Sequence, residues 1–370
     1  MYYPDKEYWE ILNDLDPSVR ALGAASAFAV GHESDWPASL YLPDGRYVGT
    51  AYAGDLPPHD VPLGIVRPRG AASGLILRHG RIAAAWGDIQ RPDTTFSAAK
   101  SYLALLGGIA VADGLIRSID DRVAETAMPG DDGFTSAQNG CITWRHLLQQ
   151  TSEWHGTLWG VPDSVDHNRH FGAGEETRLP GATREMQRPG TRWEYNDVRV
   201  NRLALSLTQV FRRPLPEVLR ERVMDPIGAS GSWEWHGYRN SICTIDDRAV
   251  VSVSGGGHWG GGLFISAADH ARVGLLVLRR GRWRDRQLIP EAWIDEMLAP
   301  SERNPQYGYL WWLNTGRQLY QAAPAGSVFA MGGGYHLVWI DASHDLVMVA
   351  RWIDRDHCNG LIEQVLEGWV

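Results

Sequence analysis

Residues 96–114 read FSAAKSYLALLGGIAVADG, and they place a serine and a lysine three positions apart at the start of an apolar run. Apolar residues recur there at helical spacing, which predicts a helix that ends near Gly114. A spacing of three puts Ser97 and Lys100 on one face of that helix, about one turn apart. The chain has only one other lysine, Lys6, whereas arginine is common. Because burial disfavours the charged form of an amine, a lysine among apolar neighbours is a candidate proton acceptor.

Strands are predicted near both ends of the chain and helices in the middle. Residues 74–88, GLILRHGRIAAAWGD, predict a hairpin, and the C-terminal segments 327–333, 335–341 and 345–353 predict three further strands. Terminal helices are expected over residues 5–14 and 361–370. We therefore predict an α/β fold of the α+β type, with one antiparallel sheet flanked by the terminal helices. Residues 1–95 together with 303–370 would form this sheet lobe, residues 96–302 a mostly helical lobe, and the active site would lie in the cleft between them.

Composition excludes several classes of partner. The net charge is −9 and there is no basic run, which predicts no binding to nucleic acid. No apolar stretch approaches the ~18 residues of a membrane span, and the first residues lack the pattern of a secretory signal. The three cysteines, Cys141, Cys243 and Cys358, are far apart and odd in number, which indicates reduced thiols and a cytoplasmic location. The sequence leaves both a monomer and a homodimer open.

Two further segments carry candidate chemistry. In RPGTRWEYNDVRVNRLALSL, residues 188–207, a Pro-Gly turn leads through Tyr195 into a predicted helix. In MGGG, residues 331–334, glycines precede a strand, where they permit a close approach of the backbone to a substrate. A serine hydroxyl needs an adjacent base to become a nucleophile, and the Ser97–Lys100 spacing supplies one.

Together, the Ser97–Lys100 pair, the Tyr195 loop and the glycine-rich strand resemble the serine β-lactamase and penicillin-binding-protein-like superfamily over about residues 74–349. Three segments are most similar to its 6-aminohexanoate-dimer hydrolase and esterase branch, namely LLQQTSEWHGTLWG (147–160), SVSGGGHWGGGLFIS (252–266) and GGGYHLVWID (332–341). The resemblance implies a β-lactamase/transpeptidase-like fold with its active site in a cleft.

The resemblance also implies roles for individual residues. Ser97 matches the acylated nucleophile, Lys100 its hydrogen-bonded base, and Tyr195 the tyrosine that relays protons to the leaving group. An oxyanion hole would form from the backbone N–H of Ser97 and that of Gly333 or Gly334. Whether Lys100 or Tyr195 takes the first proton stays open.

The sequence departs from the family pattern at two places. Asp197 replaces the usual asparagine, and an ionised aspartate can only accept hydrogen bonds, which suits a substrate N–H or ammonium group. Glycines stand where β-lactamases have K-T-G, which counts against β-lactams and D-Ala-D-Ala peptides as natural substrates. Trp154, His155, His258 and Trp259 are candidates for lining the cleft, although core packing explains Trp154 and His155 equally well.

We therefore predict a serine hydrolase, an amidase or esterase, that acts on a small-molecule substrate. The alternatives are an acyltransferase that uses the same acyl-enzyme, a β-lactamase or DD-peptidase, and a non-catalytic binding protein on this fold. An α/β-hydrolase would need a G-x-S-x-G elbow, which is absent from the sequence. The histidines of HNRH (167–170) and DRDHC (354–358) lack the spacing of a metal hydrolase, so we expect neither metal nor cofactor.

Overall fold

The computed structural model describes residues 1–12, 17–39, 63–64, 67–168, 184–255 and 262–369. The α-helices of these residues are, in chain order, α1 (Pro17–Gly31), α2 (Ala99–Ala112), α3 (Trp144–Leu148), α4 (Asp197–Phe211), α5 (Leu215–Leu219), α6 (Ala267–Leu278), α7 (Glu291–Met297) and α8 (Cys358–Glu367). The strands are β1 (Ser73–Arg78), β2 (Arg81–Trp86), β3 (Asp93–Thr94), β4 (Thr157–Leu158), β5 (Val161–Pro162), β6 (Glu234–Trp235), β7 (Gly237–Ile245), β8 (Arg248–Val253), β9 (Leu263–Ile265), β10 (Arg282–Trp283), β11 (Arg286–Gln287), β12 (Trp312–Leu313), β13 (Val328–Gly332), β14 (His336–Asp341) and β15 (Leu346–Arg351).

The main sheet has six antiparallel strands in the order β12-β13-β14-β15-β1-β2. The predicted hairpin forms β1 and β2, and the three predicted C-terminal strands form β13, β14 and β15. Strand β1 pairs with β15, with Ser73 opposite Arg351, so the N-terminal hairpin and the C-terminal strands share one sheet. The predicted fold class is thus confirmed.

Helices cover both faces of this sheet. On one face, α1 and α8 pack against it through a cluster that includes Leu22, Ala25 and Ile362. On the other face, α6 crosses β14 and β15, where Gly274 permits close contact: a Cβ at this position would lie 2.7 Å from Val347. The division of the chain into a sheet lobe and a helical lobe stays a prediction.

The N-terminal helix differs from the one predicted. Residues 5–12 are not helical, because Glu10 and Leu12 exchange backbone hydrogen bonds with Ile82 at the edge of the sheet. The helix that flanks the sheet is instead α1, which begins at Pro17. None of the helices in the described ranges is long and apolar enough to cross a membrane.

Helix α2 runs through the centre of the larger core. All of its residues from Ala99 to Ala110 are buried. Trp293 packs directly against this helix. The Trp293 Nε1 donates to Ala104 O at 3.0 Å, and a Cβ on Gly108 would lie 2.4 Å from the Trp293 ring. The middle of α2 is therefore fixed by its contact with Trp293.

Candidate active site

Ser97 lies in a 3₁₀ turn, Phe96–Ala98, that leads directly into α2. Phe96 and Ala98 are buried, whereas Ser97 is half-buried. Phe96 has φ of 46°, in the left-handed region that costs a non-glycine residue about 1–3 kcal/mol. The turn is anchored at Thr95, whose backbone N and Oγ1 both donate to Leu263 O, at 2.9 and 3.0 Å. The fold thus holds the Ser97 hydroxyl at the edge of the core in a strained turn.

Lys100 follows on the first turn of α2 and is almost fully buried. Its Nζ donates to Ser97 Oγ at 2.9 Å and forms an ion pair with Asp197 Oδ1 at 2.7 Å. The same nitrogen lies 4.8 Å from the centre of the Tyr195 ring. The structure therefore brings together four side chains that the sequence singled out from two segments about a hundred residues apart.

The Tyr195 loop is held in place by hydrogen bonds from its backbone. Asn196 caps α4, and its backbone N donates to Gln150 Oε1 at 2.7 Å. Asp197 N donates to Asp166 Oδ2 at 2.7 Å. These bonds fix the direction in which the Asp197 carboxylate approaches Lys100.

Aromatic rings surround Tyr195. Its ring stacks on Trp312, with ring centres 5.9 Å apart, and meets Tyr307 edge-on at 6.4 Å. Gln150 Nε2 donates to the Tyr307 hydroxyl at 2.8 Å. Burial raises the pKa of Tyr307 well above its usual value, and the neighbouring Tyr195 adds to this. Tyr307 therefore stays neutral, and its ring packs against that of Tyr195.

The glycine-rich end of β13 lies against the Ser97 turn (Phe96–Ala98), and Gly332 makes the closest approach. A Cβ at Gly332 would lie 2.0 Å from Thr95 O and 3.1 Å from Ala98 N. Gly333 faces Phe96 and Trp36, which a Cβ would meet at 3.4 Å. The sequence predicts Gly333 or Gly334 for the oxyanion hole, which stays a prediction; the structure places the backbone of Gly332 against Thr95 and Ala98, a contact that depends on the approach of β13 to the turn.

Gly334 has a different reason to be glycine. Its φ is 67°, in the left-handed region, and a Cβ there would lie 2.4 Å from the Trp352 ring. The backbone therefore makes a tight turn through Gly333–Tyr335 before β14 begins at His336.

We predict that Gly332→Ala lowers turnover of the predicted ester or amide substrate about 100-fold, since displacement of a reacting group by about 1 Å has an effect of this size. The added methyl group overlaps a backbone carbonyl that cannot rotate away, so the free energy of unfolding should fall by about 1–3 kcal/mol. Gly333→Ala is the matched control, because its methyl would make ordinary contacts. Melting curves and an ester assay on both variants check this, and equal effects of the two substitutions would contradict it.

Trp154 and His155 lie apart from this group. Trp154 is buried and its Nε1 donates to Gly133 O at 2.7 Å, whereas the His155 side chain is 62% exposed with its Nδ1 3.2 Å from Asp163 Oδ1. Both line a surface cavity of about 740 Å³ whose described walls do not include Ser97, Lys100 or Tyr195. The other two cleft candidates, His258 and Trp259, lie outside the described residues.

A network of buried ion pairs packs against the Tyr195 loop, and it was not predicted from the sequence. Arg199 bridges Glu153 Oε1 at 3.1 Å and Asp163 Oδ2 at 2.9 Å, and Arg184 bridges Glu153 Oε1 at 2.5 Å and Glu194 Oε2 at 2.6 Å. Burial alone would raise the pKa of Glu153, but hydrogen bonds from Arg184 and the charge of Arg199 hold this pKa below its usual value. The network fixes Glu194, the neighbour of Tyr195. These residues follow no helical or strand periodicity. The sequence feature that could have indicated the network is the number of charged residues in the segment before α4.

Several solved structures share this fold. A penicillin-binding protein homologue from Caulobacter crescentus aligns with a TM-score of 0.60 and 14% identity, over 97% of this chain and 98% of that chain. A family VIII carboxylesterase aligns with a TM-score of 0.59 and 17% identity, over 96% and 99%. A Bacillus anthracis protein described as a 6-aminohexanoate-dimer hydrolase aligns with a TM-score of 0.55 and 14% identity, over 100% and 86%. No curated protein sequence matches the chain.

An antiparallel sheet with helices on both faces, and a Ser–Lys pair at the start of the central helix, define a β-lactamase/transpeptidase-like protein. The family model for Beta-lactamase matches residues 70–352, and the chain belongs to this family of hydrolases. The resemblance seen in the sequence is thereby confirmed.

Proposed function

We propose that this protein is a serine hydrolase that cleaves a small ester or amide through an acyl-enzyme on Ser97. The observation that supports this is the distance of 2.9 Å from Lys100 Nζ to Ser97 Oγ at the buried start of α2. A serine oxygen becomes a strong nucleophile when a neighbouring base takes its proton. Ser97 is half-buried, so its hydroxyl keeps access to a substrate while its partner is shielded from water.

The proposed proton path uses Lys100 and Tyr195. Lys100 takes the proton of Ser97 Oγ as this oxygen bonds to the substrate carbonyl carbon. Tyr195 delivers a proton to the leaving group as the bond to the carbonyl carbon breaks. Water then loses a proton to the same pair and attacks the acyl carbon, and Ser97 Oγ regains a proton as the acid departs. Asp197 stabilises the ammonium form of Lys100, so it sets the pH at which the neutral amine becomes available.

The oxyanion of the tetrahedral intermediate would accept hydrogen bonds from the backbone N–H of Ser97 and from one N–H of the Gly332–Gly334 segment. Two features support this assignment. Gly332 lies directly against the Ser97 turn, and the turn leads into the N-terminal end of α2, whose dipole favours negative charge. Donors placed in advance where charge develops contribute about 3–4 kcal/mol each to lowering a barrier.

The surroundings of Ser97 favour an uncharged, apolar substrate. Trp36 packs on Phe96, the residue before Ser97, with ring centres 5.1 Å apart, and the half-buried Trp312 stacks on Tyr195. Arg69 lies over the Trp352 ring, but its guanidinium donates to Glu33 Oε1 at 2.5 Å and to Trp36 O at 2.8 Å. This arginine is therefore engaged, and it is a poor partner for a substrate carboxylate.

We expect kcat/KM for short p-nitrophenyl esters to exceed that for nitrocefin by about 10–100-fold, because a β-lactam carboxylate would lose a charged partner worth about 1.5–3 kcal/mol. Steady-state assays on both substrates, with linear amides as a third class, check this. The Ser97→Ala variant supplies the background for each substrate. Equal values for the ester and the β-lactam would contradict the proposed substrate class.

The same assay separates hydrolysis from acyl transfer. An added alcohol or amine acceptor should leave the rate of ester consumption unchanged, with free acid as the main product. Formation of mostly transferred product would assign acyl transfer instead, through the same acyl-enzyme.

A further inference from the structure

Four buried polar side chains lie close together near the Ser97 turn. We call them the Arg351 cluster: Tyr102, His270, His336 and Arg351. All four residues are almost fully buried, with 1–2% of their surface exposed. They belong to different elements, since Tyr102 is on α2, His270 on α6, His336 on β14 and Arg351 on β15. None of them has a role in the proposed reaction.

Sheet register and helix packing bring the cluster together. Arg351 is the last residue of β15. Because alternate residues of a strand share a face, its side chain lies on the same face as Val347 and Val349, which pack in the core around α2. Helix α6 crosses this face with Gly274 on Val347, which places His270, one helical turn earlier, towards the Arg351 end of the strand. The Tyr102 and His270 rings are 5.6 Å apart.

His336 joins the cluster from the neighbouring strand. It shares the face of Val338 and Ile340 on β14, and β14 pairs with β15, so His336 lies beside Arg351. Its ring packs at 4.4 Å against Trp352. His336 also pairs with Gly332 across β13 and β14, which connects the cluster to the strand end beside Ser97.

The polar atoms of the cluster lack partners within the described part of the chain. Seven of them are buried without a hydrogen bond there: Tyr102 Oη, His270 Nε2, His336 Nδ1 and Nε2, and Arg351 Nε, Nη1 and Nη2. A buried donor without a partner costs about 1–3 kcal/mol, and more for a charged group. A guanidinium with three unbonded nitrogens is therefore expected to hold a bound group.

The charge of the cluster is positive. Burial lowers the pKa of Arg351 to about 10, so the guanidinium remains protonated at neutral pH. Burial also lowers the pKa of His270 and of His336 well below the usual value, and the charge of Arg351 lowers both further, so these rings are neutral. The cluster thus offers one cation together with neutral groups that can donate.

The nearest acidic groups are engaged elsewhere. Asp93 accepts hydrogen bonds from Gly70 N at 3.1 Å and from Trp352 Nε1 at 3.1 Å. Asp269 accepts from Ser230 N at 2.9 Å and from Ser230 Oγ at 2.5 Å. Both carboxylates influence Arg351 from a distance without bonding to it.

We propose that the Arg351 cluster binds a monoatomic anion, chloride in physiological salt. The guanidinium, the phenol and one N–H of each neutral imidazole can donate to it, and the charge of the guanidinium favours an anion over a neutral water molecule. The almost complete burial of all four residues favours a single atom over a polyatomic anion or a substrate carboxylate. The bound anion would brace the His336–Trp352 packing on which the Gly332–Gly334 segment rests.

Bromide provides a direct test on the wild-type protein. Crystals grown in sodium bromide should show an anomalous peak between Arg351 and His336. In solution, Tm should be at least ~2 °C higher in sodium chloride than in sodium gluconate of equal ionic strength, because an anion that binds only the folded state stabilises it. A water molecule with no anomalous signal at this position, or equal Tm in the two salts, would overturn the proposal.

Two arginine variants separate this site from general salt effects. Arg351→Met should abolish the difference in Tm between chloride and gluconate. Arg279→Met is the control, because the Arg279 side chain is 7% exposed and is paired with Asp345, and this variant should keep the difference. If Arg351→Met does not fold, Tyr102→Phe should raise the chloride concentration needed for half of the shift at least about twofold, for the loss of one hydrogen bond. A chloride effect that persists unchanged in these cluster variants would place the anion elsewhere and refute the assignment.

Discussion

Replacing Ser97 with alanine is expected to lower kcat/KM for a short-chain ester at least ~10⁴-fold, the scale seen when a catalytic nucleophile is removed. The protein should stay folded, because Ser97 is half-buried and Lys100 keeps its ion pair with Asp197. An ester assay and a melting curve on the same preparation measure both effects. A fluorophosphonate should label Ser97 in the wild-type protein, and peptide mass spectrometry locates the adduct.

Ser101 offers a matched control on the same helix. It is buried and its Oγ donates to Leu310 O at 2.8 Å, so Ser101→Ala should lower the free energy of unfolding by about 1 kcal/mol without loss of activity. The two variants should therefore give opposite profiles. Labelling at another serine, or an active Ser97→Ala protein, would exclude the proposed acyl-enzyme.

Lys100→Arg is expected to lower kcat/KM at least ~10²-fold, the lower range for loss of a general base. Arginine keeps the positive charge, but it stays protonated at any working pH and cannot accept the proton of Ser97. Because Lys100 is almost fully buried, the larger side chain should also lower the free energy of unfolding by about 1–3 kcal/mol.

Asp197→Asn separates the chemistry of Lys100 from its packing. The carboxylate stabilises the ammonium, so its replacement by a neutral side chain of the same shape should let Lys100 lose its proton at lower pH. The acidic limb of the pH profile of kcat/KM should then move to lower pH by about one unit or more, the usual effect of one close opposite charge. A folded Asp197→Asn protein with an unmoved acidic limb would assign the first proton to Tyr195. A folded, fully active Lys100→Arg protein would exclude any proton transfer by Lys100.

Elements with a strong local pattern could be read from the sequence. Helix α2, the β1–β2 hairpin and the strands β13 to β15 appear where periodicity places them, because an apolar period of 3.6 or 2 reports directly on a buried face. The contact between Ser97 and Lys100 is equally local, since a spacing of three along a helix already puts both side chains on one face.

Elements held by distant partners were missed or misplaced. Residues 5–12 carry a helical pattern, yet backbone bonds to Ile82 make them follow the sheet edge. No pattern in the sequence predicted the β7–β8 hairpin, although its two-residue turn, Asp246–Asp247, has positive φ at both positions, the geometry of a type I′ turn. An Asp-Asp pair is a weaker signal for this turn than Asn-Gly.

The sequence alone was enough to establish the Ser–Lys pair, the Tyr195 loop and the strands that close the sheet, because each depends on residues within a few positions of one another. Only the tertiary structure decided that Asp197 pairs with Lys100, that Gly332 rather than its neighbours lies closest to the Ser97 turn, and that His270 and His336 are buried near Arg351. These contacts join residues tens to hundreds of positions apart. Their existence depends on how α2, α4, α6 and the sheet pack, and no local period along the chain carries that information.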